Sequence, residues 1–153
     1  MLIKGHNLKD ETVLAVGEFT LMWDWFERTW FNSKSCNPQK LKEKANSIHI
    51  DSQALNHFAC VLRQRRDRFG CDTTTYVARK MHPVGARKFS DEDKAIICEF
   101  MDQTGSEQTR GCLLAVLRIR NNLMHGLKIL DELDNQLELL RAATKVLESI
   151  DEN

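Results

Sequence analysis

The residues best suited to chemistry lie in one short segment, "RIRNNLMHG", which runs from Arg118 to Gly126. It follows the apolar run "CLLAVL", and a helix that only had to pack would continue with leucine and alanine. Arg120 and His125 are separated by four residues, and Asn121 directly follows the arginine. Histidine both accepts and donates protons near neutral pH, while arginine offers a fixed cationic fork to phosphate oxygens. The pair therefore suits metal-free RNA cleavage, in which histidine deprotonates the ribose 2′-hydroxyl and arginine stabilises the transition-state charge.

The same segment resembles the signature of the HEPN superfamily, which is R-x(4–6)-H, often with asparagine after the arginine. Members of that superfamily include toxins of toxin–antitoxin pairs, anticodon nucleases and the nuclease modules of RNA-targeting CRISPR effectors. The resemblance implies a helical bundle that forms a homodimer, in which two motifs build one cleft that cuts RNA without a metal or another cofactor. It assigns Arg120 to phosphate binding, His125 to acid–base chemistry and Asn121 to a supporting polar role.

Two further residues compete for, or could assist, these roles. Arg118 is separated from His125 by six residues, so it also fits the signature and could be the functional arginine. Glu27, among the aromatic residues of the first long helix, could orient an active-site side chain, although such acids more often face solvent. In one branch of the superfamily a partner nucleotidyltransferase modifies a tyrosine two places after the histidine. Leu127 stands there in this chain, which argues against that type of antitoxin but leaves another antitoxin or regulatory protein open as a partner.

Charge is distributed unevenly along a chain whose formal net charge is zero. Between Cys60 and Ser90 there are eight Lys/Arg and two Asp/Glu, a local excess of six positive charges. Such a segment suits a phosphate backbone, although a solvated arginine-rich helix beside a loop gives the same counts. The residues that we expect to contact RNA are Arg79, Lys80, Arg87 and Lys88. At most two of the preceding arginines, Arg63, Arg65, Arg66 and Arg68, can lie on the RNA-facing side of their helix.

Apolar spacing predicts an all-α, single-domain chain over residues 1–153, folded as a HEPN-like bundle of four to six helices. Helices are expected over residues 10–31, 37–46, 51–69 and 90–103, from 106 onward, and over the final stretch near 130–150. Their predicted N-caps are Asn37, Asp51, Ser90 and Ser106. Residues 70–89 are predicted to form a long loop, which is either functional or mobile.

The remaining composition favours a reduced intracellular protein. The five cysteines show no C-x-x-C spacing, so neither a disulfide framework nor a zinc site is indicated. We see no signal peptide or membrane-spanning run, and we expect a cytoplasmic location. Two other functions compete with the nuclease: a catalytically silent module that binds RNA, a nucleotide or a protein, and a structural dimerisation domain. The latter would use an aromatic face made by Trp23, Phe26 and Trp30.

Overall fold

A computed structural model of the chain describes residues 1–32, 35–82, 89–124 and 130–151. A short antiparallel hairpin of β1 (Leu2–Ile3) and β2 (His6–Asn7) precedes the helices. The helices are α1 (Asp10–Phe31), α2 (Pro38–Lys44), α3 (Ser52–Arg68), α4 (Thr73–Thr75), α5 (Asp91–Asp102), α6 (Gln108–Met124) and α7 (Leu137–Glu148). A π-helical turn, Tyr76–Met81, continues α4, while 3₁₀ turns at Ala45–Ser47 and Leu130–Gln136 follow α2 and precede α7. The all-α prediction is thus confirmed for the described residues, with seven α-helices and one small hairpin that the sequence analysis missed.

Side-chain caps begin several helices where the sequence predicts them. The Asn37 side chain accepts a hydrogen bond from the Lys40 amide at 2.8 Å, and the Ser90 hydroxyl accepts one from the Asp93 amide at 3.0 Å. Asp51 caps α3 in the same way. These caps satisfy amides that have no partner within the helix, which fixes where each helix begins. The prediction of a cap at Ser106 is wrong, because α6 begins two residues later, at Gln108.

The predicted loop over residues 70–89 is wrong for residues 73–81, which are helical. Asp72 begins this short element, because its carboxylate accepts a hydrogen bond from the Thr75 amide at 2.7 Å. Tyr76, Val77 and Met81 are buried there and anchor the element to the core. Since the helix has too few turns for an apolar period to appear, the sequence pattern did not reveal it.

Helix α6 occupies the centre of the fold and packs against α2, α3 and α5, while α7 lies between α1 and α3. Residues 111–119 are buried without interruption, as expected for a helix covered on all sides. The aromatic stripe Trp23, Phe26 and Trp30 is also buried in the core of the chain, which removes the basis for a dimer held by that face. Within the described part of the chain, no helix combines the length and apolarity needed to cross a membrane.

Candidate functional site

The last two turns of α6 carry the polar segment, and they direct its two arginines to different surroundings. Arg118 is 0% exposed and is the largest fully buried side chain among the described residues. Arg120, two positions later, is only partly buried. Residues two positions apart point about 200° apart around an α-helix of about 3.6 residues per turn, so one arginine can face the core while the other faces outward.

Arg118 belongs to a buried hydrogen-bond network. Its Nε and Nη2 atoms donate to the Asn122 side-chain oxygen at 3.0 and 2.7 Å, and Asn122 donates in turn to the Met81 carbonyl at 3.2 Å. The guanidinium carbon lies 5.5 Å from the centre of the Phe89 ring, a cation–π distance. Burial lowers the pKa of Arg118. The network joins α6 to the π-helical turn and to the residue that precedes the cap of α5.

His82 lies beside this network, and its environment keeps the ring neutral. Its Nδ1 atom lies 2.6 Å from the Val77 carbonyl, and its ring meets Phe89 edge-on at 5.0 Å. Burial lowers the pKa of His82 to about 4, and the nearby charges of Arg118 and Lys94 act in the same direction. At neutral pH this histidine therefore donates from Nδ1 to Val77 and carries no positive charge. His82 is thus a buried, neutral histidine that bonds Val77 and packs against Phe89.

Arg120 opens into a small pocket of about 120 Å³ between α1 and the end of α6. Its Nη1 atom donates to the Asn121 side-chain oxygen at 3.2 Å, which is the one hydrogen bond that its guanidinium makes to the described residues. Glu27 lines the same pocket from α1, and no ion pair joins it to Arg120 among the described residues. Among the described residues, most donors of the arginine fork thus have no partner, and a carboxylate lies nearby.

The Glu27 carboxylate is held by a backbone amide, and its charge affects the pKa of a neighbouring thiol. Its Oε2 atom accepts a hydrogen bond from the Cys36 amide at 2.9 Å. Burial and, secondarily, the Glu27 charge raise the pKa of Cys36 to about 12, although Lys40 and Arg120 oppose this shift. Cys36 is therefore a neutral thiol near the pocket and not a nucleophile. The expected role of Glu27 in orienting a side chain stays a prediction, because Glu27 shares the pocket without bonding Arg120.

A second and larger concavity contains part of the cationic segment. It has a volume of about 600 Å³ and is lined by Arg65, Arg68, Arg79 and Lys80, among others. Arg63 and Arg66 lie elsewhere: Arg63 bonds the Met101 carbonyl at 2.7 Å, and Arg66 pairs with Asp102 at 3.1 Å. The expectation that at most two of the four arginines on α3 face RNA stays a prediction; Arg65 and Arg68 line this concavity, and Arg63 and Arg66 do not. We call this concavity the cationic cleft.

Several residues of the predicted site lie outside the described residues, namely His125, Arg87 and Lys88. The pairing of Arg120 with His125 therefore stays a prediction. Sequence reasoning missed two features that the structure brings together: the Arg118–Asn122 bond and the cleft that Arg65 and Arg68 share with Arg79. The i, i+4 spacing of Arg118 and Asn122 was a signal for the first feature, but such spacings are common in exposed helices as well. The second feature had no signal within one segment, because Arg79 lies on a different element.

Comparison of the chain with protein families, with characterised proteins and with solved structures finds no match.

Proposed function

We propose that the chain is a metal-independent endoribonuclease of the HEPN type. Arg120 binds the scissile phosphate and stabilises the transition-state charge, His125 transfers the proton of the 2′-hydroxyl, and Asn121 holds the Arg120 fork. The observation that carries this proposal is the contrast between the two arginines. Arg120 lies at a pocket and bonds only Asn121 among the described residues, whereas Arg118 is buried and bonded to Asn122.

The proposal includes a homodimer, because one motif holds a single histidine. Transesterification of RNA uses a general base and a general acid, and a two-fold pairing of motifs supplies both. Arg79, Lys80, Arg87 and Lys88 are proposed to contact the RNA backbone, which makes binding weaken steeply with salt. We also propose a biological setting, which rests on the family resemblance alone. It is a cytoplasmic toxin or phage-defence system with an antitoxin or regulatory partner.

The decisive experiment is cleavage of single-stranded RNA by the full chain in excess chelator. We expect cleavage to persist, to leave 2′,3′-cyclic phosphate ends, and to be lost in His125→Ala while light scattering still shows a dimer. His57→Ala is the matched control, since His57 is an exposed histidine on α3. If the purified protein cuts no RNA, or if His125→Ala cuts as fast as the wild type, the proposal is wrong and the silent binding module takes its place.

A further inference from the structure

The outward side of α1 carries apolar side chains that the described chain leaves uncovered. Leu14 is 62% exposed and Leu21 is 72% exposed, although the opposite side of the same helix is buried in the core. The two leucines are seven residues apart, which is close to two full turns, so they lie on one side of α1. Met124 is 58% exposed and lines the small Arg120 pocket together with Thr20, the residue before Leu21. Exposed apolar residues that occur together in this way are typical of a contact surface. We define the α1 face as the four exposed residues Leu14, Gly17, Glu18 and Leu21.

Gly17 lies between the two leucines and leaves room for another backbone. A Cβ atom built there has nothing within 4 Å, so no contact with the described residues requires a glycine at this position. Glycine inside a helix is less favourable than alanine because it loses more conformational freedom on folding. The absence of a Cβ does, however, let a second helix approach α1 closely between Leu14 and Leu21.

Glu18 gives the α1 face its charge. It is exposed, it follows Leu14 by four residues, and it precedes Leu21 by three. Glu18 makes no hydrogen bond or ion pair with the described residues. The other exposed acids of α1 each lie within ion-pair distance of a cation, and they are Asp10, Glu11 and Asp24. Glu18 is therefore the acid on this helix that is left for a partner to neutralise.

This charge decides between a second copy of the chain and a different partner. Leu14 and Leu21 occupy equivalent positions of a heptad, and Glu18 occupies the flanking position whose charge sets partner choice in paired helices. In an antiparallel pairing of two α1 faces, the two Glu18 carboxylates would lie opposite each other. In a parallel pairing, each Glu18 would lie opposite Val13, which carries no charge. A helix with a lysine or arginine opposite Glu18 avoids both problems, because unlike charges attract and like charges exclude the wrong partner.

We propose that the α1 face is the docking site for an amphipathic helix of another protein. The apolar side chains of that helix cover Leu14 and Leu21, its backbone approaches α1 at Gly17, and its lysine or arginine pairs with Glu18. The inference does not depend on RNA cleavage, because none of these four residues lines the Arg120 pocket.

The charge is tested with two synthetic helical peptides of three heptads, titrated into the full chain and followed by fluorescence anisotropy. The peptides share one leucine pattern and differ only at the flanking positions, which are lysine in one and glutamate in the other. We expect the lysine peptide to bind at micromolar concentration and roughly fivefold more tightly than the glutamate peptide. Glu18→Lys should reverse this preference. Glu43→Lys, the same charge reversal at an exposed position of α2, should retain it.

The apolar contact is tested with Leu21→Ser. Because the side chain is mostly exposed, the substitution should leave urea denaturation unchanged while weakening lysine-peptide binding roughly tenfold, since the leucine is no longer buried on binding. Leu2→Ser removes a leucine of similar exposure from β1 and should bind as the wild type does. Gly17→Ala should weaken binding although alanine favours the helix, a combination that general damage to the fold does not produce.

Light scattering tests the other occupant, a second copy of the chain. The proposal expects the oligomeric state of the full chain to be the same in the wild type and in Leu21→Ser. If Leu21→Ser dissociates a dimer, the α1 face is an interface between copies and the proposal is overturned. It is also overturned if neither peptide binds at millimolar concentration, or if Glu18→Lys and Leu21→Ser leave binding of the lysine peptide unchanged.

Discussion

The two halves of helix α6 differ both in how completely they are buried and in the residues that build them. Residues 111–117 form an apolar half in which glycine and aliphatic side chains meet α5 and the rest of the core. Residues 118–124 form a polar half, in which Arg118, Asn121 and Asn122 are buried beside apolar neighbours. The apolar side chains of the first half need only to fit closely against their neighbours. Each buried polar group of the second half also needs a hydrogen-bond partner. A helix can therefore lie in the core over most of its length while its buried polar groups are confined to one end.

Within the polar half, Arg118 and Arg120 differ in what they bond. Arg118 donates two hydrogen bonds to the Asn122 side-chain oxygen, one helical turn away. Asn122 donates in turn to the Met81 carbonyl, which links α6 to the turn that ends at Met81. Arg120 bonds only its neighbour Asn121 within the described part of the chain. The same residue type thus belongs to a buried network at one position and makes one local hydrogen bond to the described residues two positions later.

The largest expected effect is on catalysis, from Arg120→Ala. If Arg120 stabilises the charge of the transition state, its loss should slow RNA cleavage by roughly 100-fold to 1,000-fold. The free energy of unfolding should change little, because the side chain is partly exposed and makes one local hydrogen bond. Single-turnover cleavage kinetics measure the first quantity and urea denaturation the second. Arg110→Ala, at the other end of α6, is the control and should cut at the wild-type rate; normal cleavage by Arg120→Ala would contradict the assigned role.

Arg118→Ala should show the opposite pattern, with a large effect on stability. Removing this buried side chain leaves a cavity and deprives the Asn122 oxygen of its donor, so the free energy of unfolding should fall by about 3 kcal/mol. Cleavage per folded molecule, measured at low temperature, should fall less than in Arg120→Ala. A stable but inactive Arg118→Ala protein would instead make the six-residue spacing to His125 the working one.

Gly111→Ala tests the apolar half of α6. A Cβ atom at Gly111 would lie 2.5 Å from the Phe100 Cβ and 2.6 Å from the Ile96 carbonyl oxygen, so α5 and α6 would have to separate. We expect a loss of about 2 kcal/mol in the free energy of unfolding, because overpacking outweighs the better helix propensity of alanine. Gly17→Ala is the matched control on α1, where nothing lies within 4 Å, and it should stabilise the protein by about 0.5–1 kcal/mol. If both substitutions change the free energy of unfolding by the same amount, the close packing at Gly111 does not limit the stability of the protein.

Much of the scaffold could be predicted from sequence, because caps and long apolar periods are local signals. The limits of α1 and the caps at Asn37, Asp51 and Ser90 are of this kind. The helix at 73–81 was missed because it is short and is stabilised by burial of Tyr76 and Val77. The buried state of Arg118 and the gathering of Arg65 and Arg79 in one cleft depend on which helices meet, and no spacing within one segment encodes that.

The last expected effect, no larger than that of Gly111→Ala, is a pH dependence of stability that originates beside Arg118, at His82. Burial lowers the pKa of His82 to about 4 in the folded protein, whereas an unfolded histidine titrates near 6.5. As the pH falls below 6.5, the unfolded chain takes up a proton that the folded chain does not, so folding is progressively disfavoured until the pH reaches about 4. Between pH 7.5 and 5 this group should remove about 2 kcal/mol from the free energy of unfolding.

The measurement is urea denaturation of the wild type and His82→Asn across that pH range. Asparagine keeps a donor for the Val77 carbonyl but does not titrate, so the variant has a constant offset and a shallower slope between pH 7.5 and 5. His57→Asn, at an exposed position of α3, should retain the wild-type slope. Parallel curves for the wild type and His82→Asn would mean that the protein accommodates a charged ring beside Arg118. The neutral state assigned to His82 would then be wrong, whereas the contrast between Arg118 and Arg120 would stand, because it rests on burial and hydrogen bonding.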